Sequence, residues 1–335
     1  MRELVLILPT PSAADRAALA VPLGRARAAA VERGDWRGWL ARRLGCGRLA
    51  SRPPAEVAAL AAPDMPDAAV AAPGGGMWFA TPVALLAALD HVRMLPDGWV
   101  TLRKDEAAQL AADFAATLGG TSLSLAAAGA EGFLLSGLEV QALTHDPARV
   151  LGADVAPWLP AGEGAGQLRR LATEIEMWLH EHPLQRALRR RGSPPATTLW
   201  LWGGGAAAGD AGGPTPAGTL MPTATRDRAA RAAAWPRGYG RDSWLAGLWQ
   251  AAGERLTGDA DAFAAIEPAQ DRDTIVVVRA AAGEAEARWL APALAQLAAR
   301  RCAGVQCVIG DRAFRFSRFD LVKPWRRSVR WAAPA

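Results

Sequence analysis

Two histidines have the clearest potential for chemistry in this sequence. His180 and His182 lie two positions apart within residues 167–205. Imidazole is a frequent metal ligand and titrates close to neutral pH. Residues two apart do not share a helical face, so both rings can reach one metal ion only if the chain turns at His182, where Pro183 predicts a break. The alternative, which we favour, is that His182 caps a helix or makes a buried hydrogen bond.

Five further residues are candidates for binding a ligand. Gln185 and Arg186 follow the predicted break, and Trp202, Gly203 and Gly205 lie at the end of the run TTLWLWGGG. Glycines at the end of a strand allow a ligand to approach the backbone closely. The same glycines are also a plain turn signal, and this second interpretation is the one we favour.

Asp146 is a carboxylate candidate outside this segment. It stands directly before Pro147, and an Asp-Pro pair is more typical of a turn than of a general base. The sequence therefore offers candidate ligand-binding residues, identifies no catalytic residue and predicts no metal site.

The spacing of apolar residues predicts the elements that hold these candidates. Leu168, Leu171 and Ile175 recur at three- and four-residue intervals, which predicts an amphipathic helix that ends near His182. Residues 197–202 are rich in β-branched and aromatic side chains and are bounded by proline and glycine, which predicts a strand.

Further strands are predicted at residues 3–8, 274–278 and 305–309. The last two flank a helical pattern, and strand, helix, strand with an apolar first strand is typical of a parallel βαβ unit. Together with residues 197–202, these segments predict an α/β fold with a mainly parallel sheet flanked by helices.

The domain prediction divides the chain at a smaller α+β insert. Short predicted strands around a helix place this insert at residues 78–163. Residues 1–77 and 164–335 form the predicted α/β core, and residues 203–228, which are rich in Gly, Ala, Pro and Thr, form a flexible loop within it.

The composition excludes several classes of protein. The 335 residues include 38 Lys and Arg against 33 Asp and Glu, a balance that does not favour a nucleic-acid-binding protein. Three cysteines without metal-ligand spacing favour a reduced, cytoplasmic location. The apolar run at residues 4–8 is too short for a signal peptide or a membrane span, so no membrane association is expected. The basic, aromatic tail at residues 323–331 could contact RNA, but a docked terminal arm is favoured.

The central segment resembles a known enzyme family. An amphipathic helix, His182-Pro183, an amide residue, an arginine, a Gly-x-Pro-Pro loop, a strand and a glycine cluster follow one another. This order is similar to that of the archaeal-type cofactor-independent phosphoglycerate mutases, which belong to the alkaline phosphatase superfamily. Weaker similarity extends to Pro22-Leu23, to residues 79–81 and to Asp146-Pro147.

A second resemblance is more specific and covers most of the chain. The patterns EIEM at residues 174–177, HEHP at residues 180–183, LWLWGGG at residues 199–205 and PWRR at residues 324–327 resemble the RpfE-type regulatory proteins of proteobacteria. These are degenerate relatives of the mutases, so the resemblance implies an alkaline-phosphatase-like core.

Departures from the mutase pattern argue against phosphotransfer. The mutases use a Ser or Thr nucleophile between two divalent metals, whereas this chain has Pro9-Thr10-Pro11 where a metal-binding aspartate is expected. Gln185 and Thr197 stand where the mutases carry asparagines. Trp202 stands where they carry an arginine, and an indole cannot replace a bidentate phosphate donor.

We therefore expect a phosphoglycerate-mutase-like protein that has lost metal-dependent phosphotransfer and binds or regulates an unknown protein or small molecule. No cofactor is expected. The first alternative is an active mutase or metallophosphoesterase, which would require Mn or Mg. The second is a nucleic-acid-associated protein that acts through the basic tail.

Overall fold

The computed structural model describes residues 2–9, 11, 13–31, 35–62, 76–118, 122–205, 235–259, 263–266, 271–279, 283–310, 312–322 and 329. Within these residues the strands are β1 (Glu3–Leu8), β2 (Arg27–Ala30), β3 (Trp78–Ala87), β4 (Val92–Trp99), β5 (Ser124–Ala127), β6 (Phe133–Ser136), β7 (Thr198–Trp202), β8 (Arg237–Tyr239), β9 (Thr274–Val277), β10 (Gly304–Ile309) and β11 (Arg312–Phe316).

The α-helices are α1 (Ala13–Leu23), α2 (Trp36–Arg43), α3 (Gly47–Ala50), α4 (Pro54–Ala59), α5 (Lys104–Leu118), α6 (Ala165–Glu181), α7 (Leu184–Arg190), α8 (Ser243–Ala251), α9 (Ala291–Ala298) and α10 (Arg318–Leu321). A π-helical turn, Glu286–Leu290, precedes α9. The predicted loop at residues 203–228 lies outside the described residues beyond Gly205, and so does the predicted tail apart from Val329.

The chain divides into two compact units. The first unit takes its residues from Met1–Ala50, Pro222–Arg241 and Ala252–Ala335, and the second from Ser51–Met221 and Asp242–Ala251. This division differs from the expected insert at residues 78–163, because the second unit also includes the helices and the strand of the central segment.

The first unit contains a six-stranded sheet in the order β2-β11-β10-β1-β9-β8. Strand β1 pairs in parallel with β10 and β9, β8 pairs in parallel with β9, and β11 and β2 are antiparallel. One face of the sheet packs with helices around a core that includes Leu6, Val276 and Trp289. The α/β fold class with a mainly parallel sheet is thus confirmed, and three of its four predicted strands are β1, β9 and β10.

The fourth predicted strand is not part of the parallel sheet. Strand β7 pairs antiparallel with β3, in the register Phe79 opposite Trp202, within a sheet that also holds β4, β6 and β5. All five residues of β7 are buried. Leu199 and Leu201 contribute to one hydrophobic cluster and Trp200 and Trp202 to another. A strand covered on both faces reads as a continuous apolar run, which is why its sequence predicted a parallel strand.

A buried carboxylate helps to explain why α8 belongs to the second unit. Glu131 is fully buried, and its Oε2 accepts hydrogen bonds from the backbone N–H of Ser243 at 2.8 Å and from its hydroxyl at 2.6 Å. A carboxylate that accepts from the first turn also suits the helix dipole. Gly247 in α8 lies directly against Val57 in α4, where a Cβ atom would be 1.8 Å from the Val57 carbonyl oxygen.

Among the described residues, none of the helices has the length and the apolar character that crossing a bilayer requires.

The first residue of β1 is held by opposite charges within the first unit. The N–H of Glu3 donates to Asp273 Oδ1 at 2.9 Å, and its carboxylate accepts from Arg43 Nη2 at 2.8 Å and from Arg315. Burial by itself would raise the pKa of Glu3, but the hydrogen bonds and charges of Arg43 and Arg315 outweigh it, so the pKa lies below its usual value.

A carboxyl group whose pKa is lowered by folding stabilises the fold at pH values above its unfolded-state pKa of 4.5. This stabilisation is lost as the pH falls through the folded-state pKa. We expect Glu3→Gln to lower the free energy of unfolding at neutral pH by about 1 kcal/mol. Below pH 4.5, the free energy of unfolding of this variant should depend less on pH than that of the unmodified protein. Urea denaturation at several pH values measures both effects. Asp259→Asn is the control, because Asp259 pairs with Arg241 at an exposed position. Equal acid sensitivity of Glu3→Gln and the unmodified protein would contradict the assignment.

Candidate functional site

Strand β7 separates the predicted ligand-binding residues into two groups. The Gln185 amide reaches the carbonyl oxygen of Ala196, just before the strand, whereas Trp202 and Gly203 lie at its far end. At about 3.3 Å per residue, the five-residue strand that lies between the two groups by itself spans roughly 13 Å. The candidates therefore do not converge on one site.

His182 is a helix cap with both ring nitrogens engaged. It follows the last residue of α6, and its backbone N–H donates to the Leu179 carbonyl at 3.1 Å. Nδ1 accepts the Leu184 N–H at 3.1 Å, so Nε2 carries the proton and donates to Asp113 Oδ2 at 3.0 Å. The ring also meets Trp178 edge to face, with centroids 5.0 Å apart. This is the capping and hydrogen-bonding role that the sequence favoured.

Gln185 ties the turn after α6 to the start of β7. Its Nε2 donates to the carbonyl oxygens of Leu179 at 2.9 Å and Ala196 at 2.7 Å. The buried Oε1 atom has no hydrogen-bond partner among the described residues. Arg186, by contrast, is exposed on α7. The amide and the guanidinium thus do not act together as an anion clamp.

Trp202 occupies a packed position in the second unit. Its Nε1–H donates to the Thr81 hydroxyl at 2.9 Å, and its ring stacks on Phe79 with centroids 4.6 Å apart. Only 2% of the residue is exposed. The indole is therefore used for packing and one internal hydrogen bond.

The glycines after β7 accommodate neighbouring protein atoms. Gly203 adopts φ +68°, and its N–H donates to the Thr144 hydroxyl at 3.2 Å. A Cβ atom on Gly204 would lie 2.1 Å from the Met77 carbonyl oxygen and 2.5 Å from the Trp78 ring. Gly205, with φ +86°, also faces the Trp78 ring. Close approach does require glycine here, but in the described structure the group that approaches belongs to the protein.

Asp146 forms a turn, as its sequence context predicted. Its Oδ1 accepts the Ala148 N–H at 3.0 Å and caps the 3-10 turn Pro147–Arg149. The neighbouring His145 is half-buried, and its carbonyl accepts the Trp200 indole N–H at 2.8 Å. Burial first, and the charge of Arg149 second, hold the pKa of His145 below its usual value.

These residues do not fit a divalent metal ion. Both nitrogens of His182 already have protein partners, and His180 is exposed on α6. In the part of the chain that the structure describes, no three side chains of His, Cys, Asp or Glu are grouped so that they could hold a metal.

Two described charged side chains that follow parallel strands on the carboxyl side, where open α/β sheets bind ligands, are already engaged. Asp15 in α1, the helix after β1, is buried and accepts the Ala285 N–H at 3.0 Å. Arg241, just after β8, donates to Asp259 Oδ2 at 3.0 Å. These side chains stabilise the first unit itself.

Several partners of the candidates had no signal in the sequence. Asp113 lies 69 positions from His182, and Thr81 lies 121 positions from Trp202. Arg149 and Trp158, which contact each other beside His145, were also missed. Only the proximity of Arg149 to Asp146-Pro147 in the chain could have drawn attention to it.

Comparison with known proteins gives a short sequence match and two structural similarities. No protein-family model matches the chain. A probable 2,3-bisphosphoglycerate-independent phosphoglycerate mutase of Geobacter sulfurreducens is 38% identical over 61 residues, which is 18% of this chain and 15% of the relative. The match thus covers only a small part of the length of that relative.

Two solved structures are similar at 14% sequence identity. A cofactor-independent phosphoglycerate mutase from Thermoplasma acidophilum has a TM-score of 0.36, with coverage of 94% of this chain and 90% of the other. The PH0037 protein from Pyrococcus horikoshii has a TM-score of 0.45, with coverage of 98% and 90%. Identities this low carry no information about activity.

The capping role of His182 predicts a difference between the two histidines of the central segment. His182→Ala removes two hydrogen bonds and a ring contact, so we expect the free energy of unfolding to fall by about 2–3 kcal/mol. His180→Ala, at an exposed position, should change it by less than about 0.5 kcal/mol. Urea denaturation compares the two variants, and equal small losses would contradict the cap.

The close packing of the glycine run predicts that two glycine substitutions have opposite effects on the free energy of unfolding. Gly204→Ala forces a Cβ atom against Met77 and Trp78, so we expect a loss of about 2–3 kcal/mol in the free energy of unfolding. Gly166→Ala in α6 meets nothing within 4 Å and should stabilise by about 0.5–1 kcal/mol. If thermal melts show no destabilisation in Gly204→Ala, the packed position of the run is wrong.

Proposed function

We propose that this protein is related to the phosphoglycerate mutases, has lost their metal-dependent phosphotransfer and acts as a binding or regulatory protein. The relationship is supported by the 38% identity over 61 residues to a probable phosphoglycerate mutase and by the order of motifs in the central segment. The loss of phosphotransfer is supported by what the candidate residues do in the structure.

The observation that carries the proposal is the position of Trp202. In the resembling mutases an arginine occupies this place, and its planar group provides five N–H donors for an anion. Trp202 provides a single donor, which the Thr81 hydroxyl accepts at 2.9 Å, and its ring is stacked on Phe79. The Trp202 side chain itself therefore offers an anion no charge, and its one donor is already engaged.

The finer proposal is that the protein belongs to the RpfE-type regulatory proteins of proteobacteria. The EIEM, HEHP, LWLWGGG and PWRR patterns support it.

We also propose a cytoplasmic location without a bound cofactor. Cys46, Cys302 and Cys307 are all buried and are not disulfide-bonded, and burial raises the pKa of Cys302 and Cys307. Inert thiols of this kind are compatible with a reducing compartment.

The alternative is an active mutase or metallophosphoesterase with another set of ligands. The name of the Geobacter relative is the observation that favours it. Such an enzyme would need to bind Mn or Mg in the folded state, which makes the two functions separable by metal content and turnover.

We expect the purified protein, incubated with Mn or Mg and then desalted, to hold far less than one metal ion per chain. We also expect no mutase or phosphatase turnover above that of a protein-free blank with Mn or Mg present, measured where circular dichroism shows the protein to be folded. Stoichiometric bound metal, or turnover that depends on Mn or Mg, would refute the proposal.

A further inference from the structure

Two segments of the second unit that are joined by the Leu143–Ala161 bridge and by the ring contact of His145 with Trp158 expose apolar and cationic side chains. Leu143 is 63% exposed and Leu159 is 40% exposed. In the same two segments, Trp158 and His145 are half-buried and Arg149 is exposed. We call these five residues the Trp158 surface. Exposed leucine, tryptophan and arginine together are typical of a protein–protein interface, where aromatic and arginine side chains are enriched.

The backbone beneath the Trp158 surface is fixed. Leu143 and Ala161 form an antiparallel β-bridge in which each backbone N–H donates to the carbonyl oxygen of the other, at 2.8 Å and 3.0 Å. The carbonyl oxygen of His145 is held by the Trp200 indole at 2.8 Å. A surface that is already ordered loses little conformational entropy when it binds.

The positive charge on this surface is available to a partner. The Arg149 guanidinium lies 5.4 Å from the centroid of the Trp158 ring, and the His145 ring meets the same indole at 5.1 Å. No carboxylate among the described residues forms an ion pair with Arg149. The nearest carboxylate in sequence, that of Asp146, accepts the Ala148 N–H and caps the turn.

We propose that the Trp158 surface docks a protein partner through a segment in which a carboxylate stands beside apolar side chains. Arg149 binds the carboxylate, while Leu143, Trp158 and Leu159 cover the apolar side chains. The charge of Arg149 requires an acidic group on the partner segment, and the exposed leucines require apolar side chains beside that group. A free phosphate would use the cation and leave both leucines exposed. The inference rests on the proposed binding role and specifies the class of partner.

The probe is a capped pentapeptide of alternating leucine and glutamate, compared with its leucine–glutamine counterpart and with inorganic phosphate. The readout is the NMR spectrum of the histidine rings in the full chain, which has four histidines. We expect the glutamate peptide to shift the His145 signals saturably and to raise the pKa of His145, because a negative charge then lies nearby. The glutamine peptide and phosphate should bind at least about fivefold more weakly.

Two variants and two controls locate the binding. Arg149→Gln and Leu143→Ser should each weaken the glutamate peptide at least about fivefold. Arg189→Gln and Leu89→Ser replace an exposed arginine and an exposed leucine elsewhere in the second unit and should leave its affinity unchanged. All four should keep the melting temperature of the parent protein, because they change exposed side chains.

Other outcomes overturn the inference. Tighter binding of phosphate than of the peptide would make this a small-anion site. The absence of a saturable shift with every probe, or equal losses in variants and controls, would exclude docking here. Metal-dependent turnover together with intact peptide binding would overturn the proposed function alone, whereas failed titrations without turnover would overturn this inference alone.

Discussion

The antiparallel pairing of β7 with β3 is the interaction on which the central segment depends. Every residue of β7 is buried, so the strand packs on both faces and its backbone is paired along β3. Leu199 and Leu201 face the cluster that contains α6, and Trp200 and Trp202 face the cluster that contains α4 residues. Two hydrophobic cores of the second unit thus share one strand, and shifting its register by a residue would exchange the leucine and tryptophan faces.

This constraint explains why residues suited to chemistry serve as structure. Gln185 and His182 hold the turn between α6 and α7 at one end of β7, and Thr144 and Trp78 meet the glycines at the other. Each buried polar group that forms such a bond avoids a desolvation cost of about 1–3 kcal/mol. Freeing any of them for a ligand would incur that cost, so the scaffold and an anion site cannot use the same atoms.

The sequence predicted elements well and their partners poorly. Apolar periodicity and proline predicted the end of α6 and the start of β7 each to within a residue, because these are local signals. The same patterns could not assign β7 to a sheet, because a strand covered on both faces looks alike in parallel and antiparallel sheets. The His182 cap was anticipated from Pro183, whereas Asp113 and Glu131 act over distances of 69 and 112 residues. No single-sequence pattern encodes such pairings.

We infer that the buried imidazole of His182 belongs to the scaffold and does not bind a metal ion. Calorimetric titration of Mn into the unmodified protein and into His182→Ala tests it directly, at a temperature where circular dichroism shows both to be folded, because removing a metal ligand weakens metal binding. We predict that the two proteins do not differ in their affinity for Mn. Clearly tighter Mn binding by the unmodified protein than by folded His182→Ala would contradict the claim.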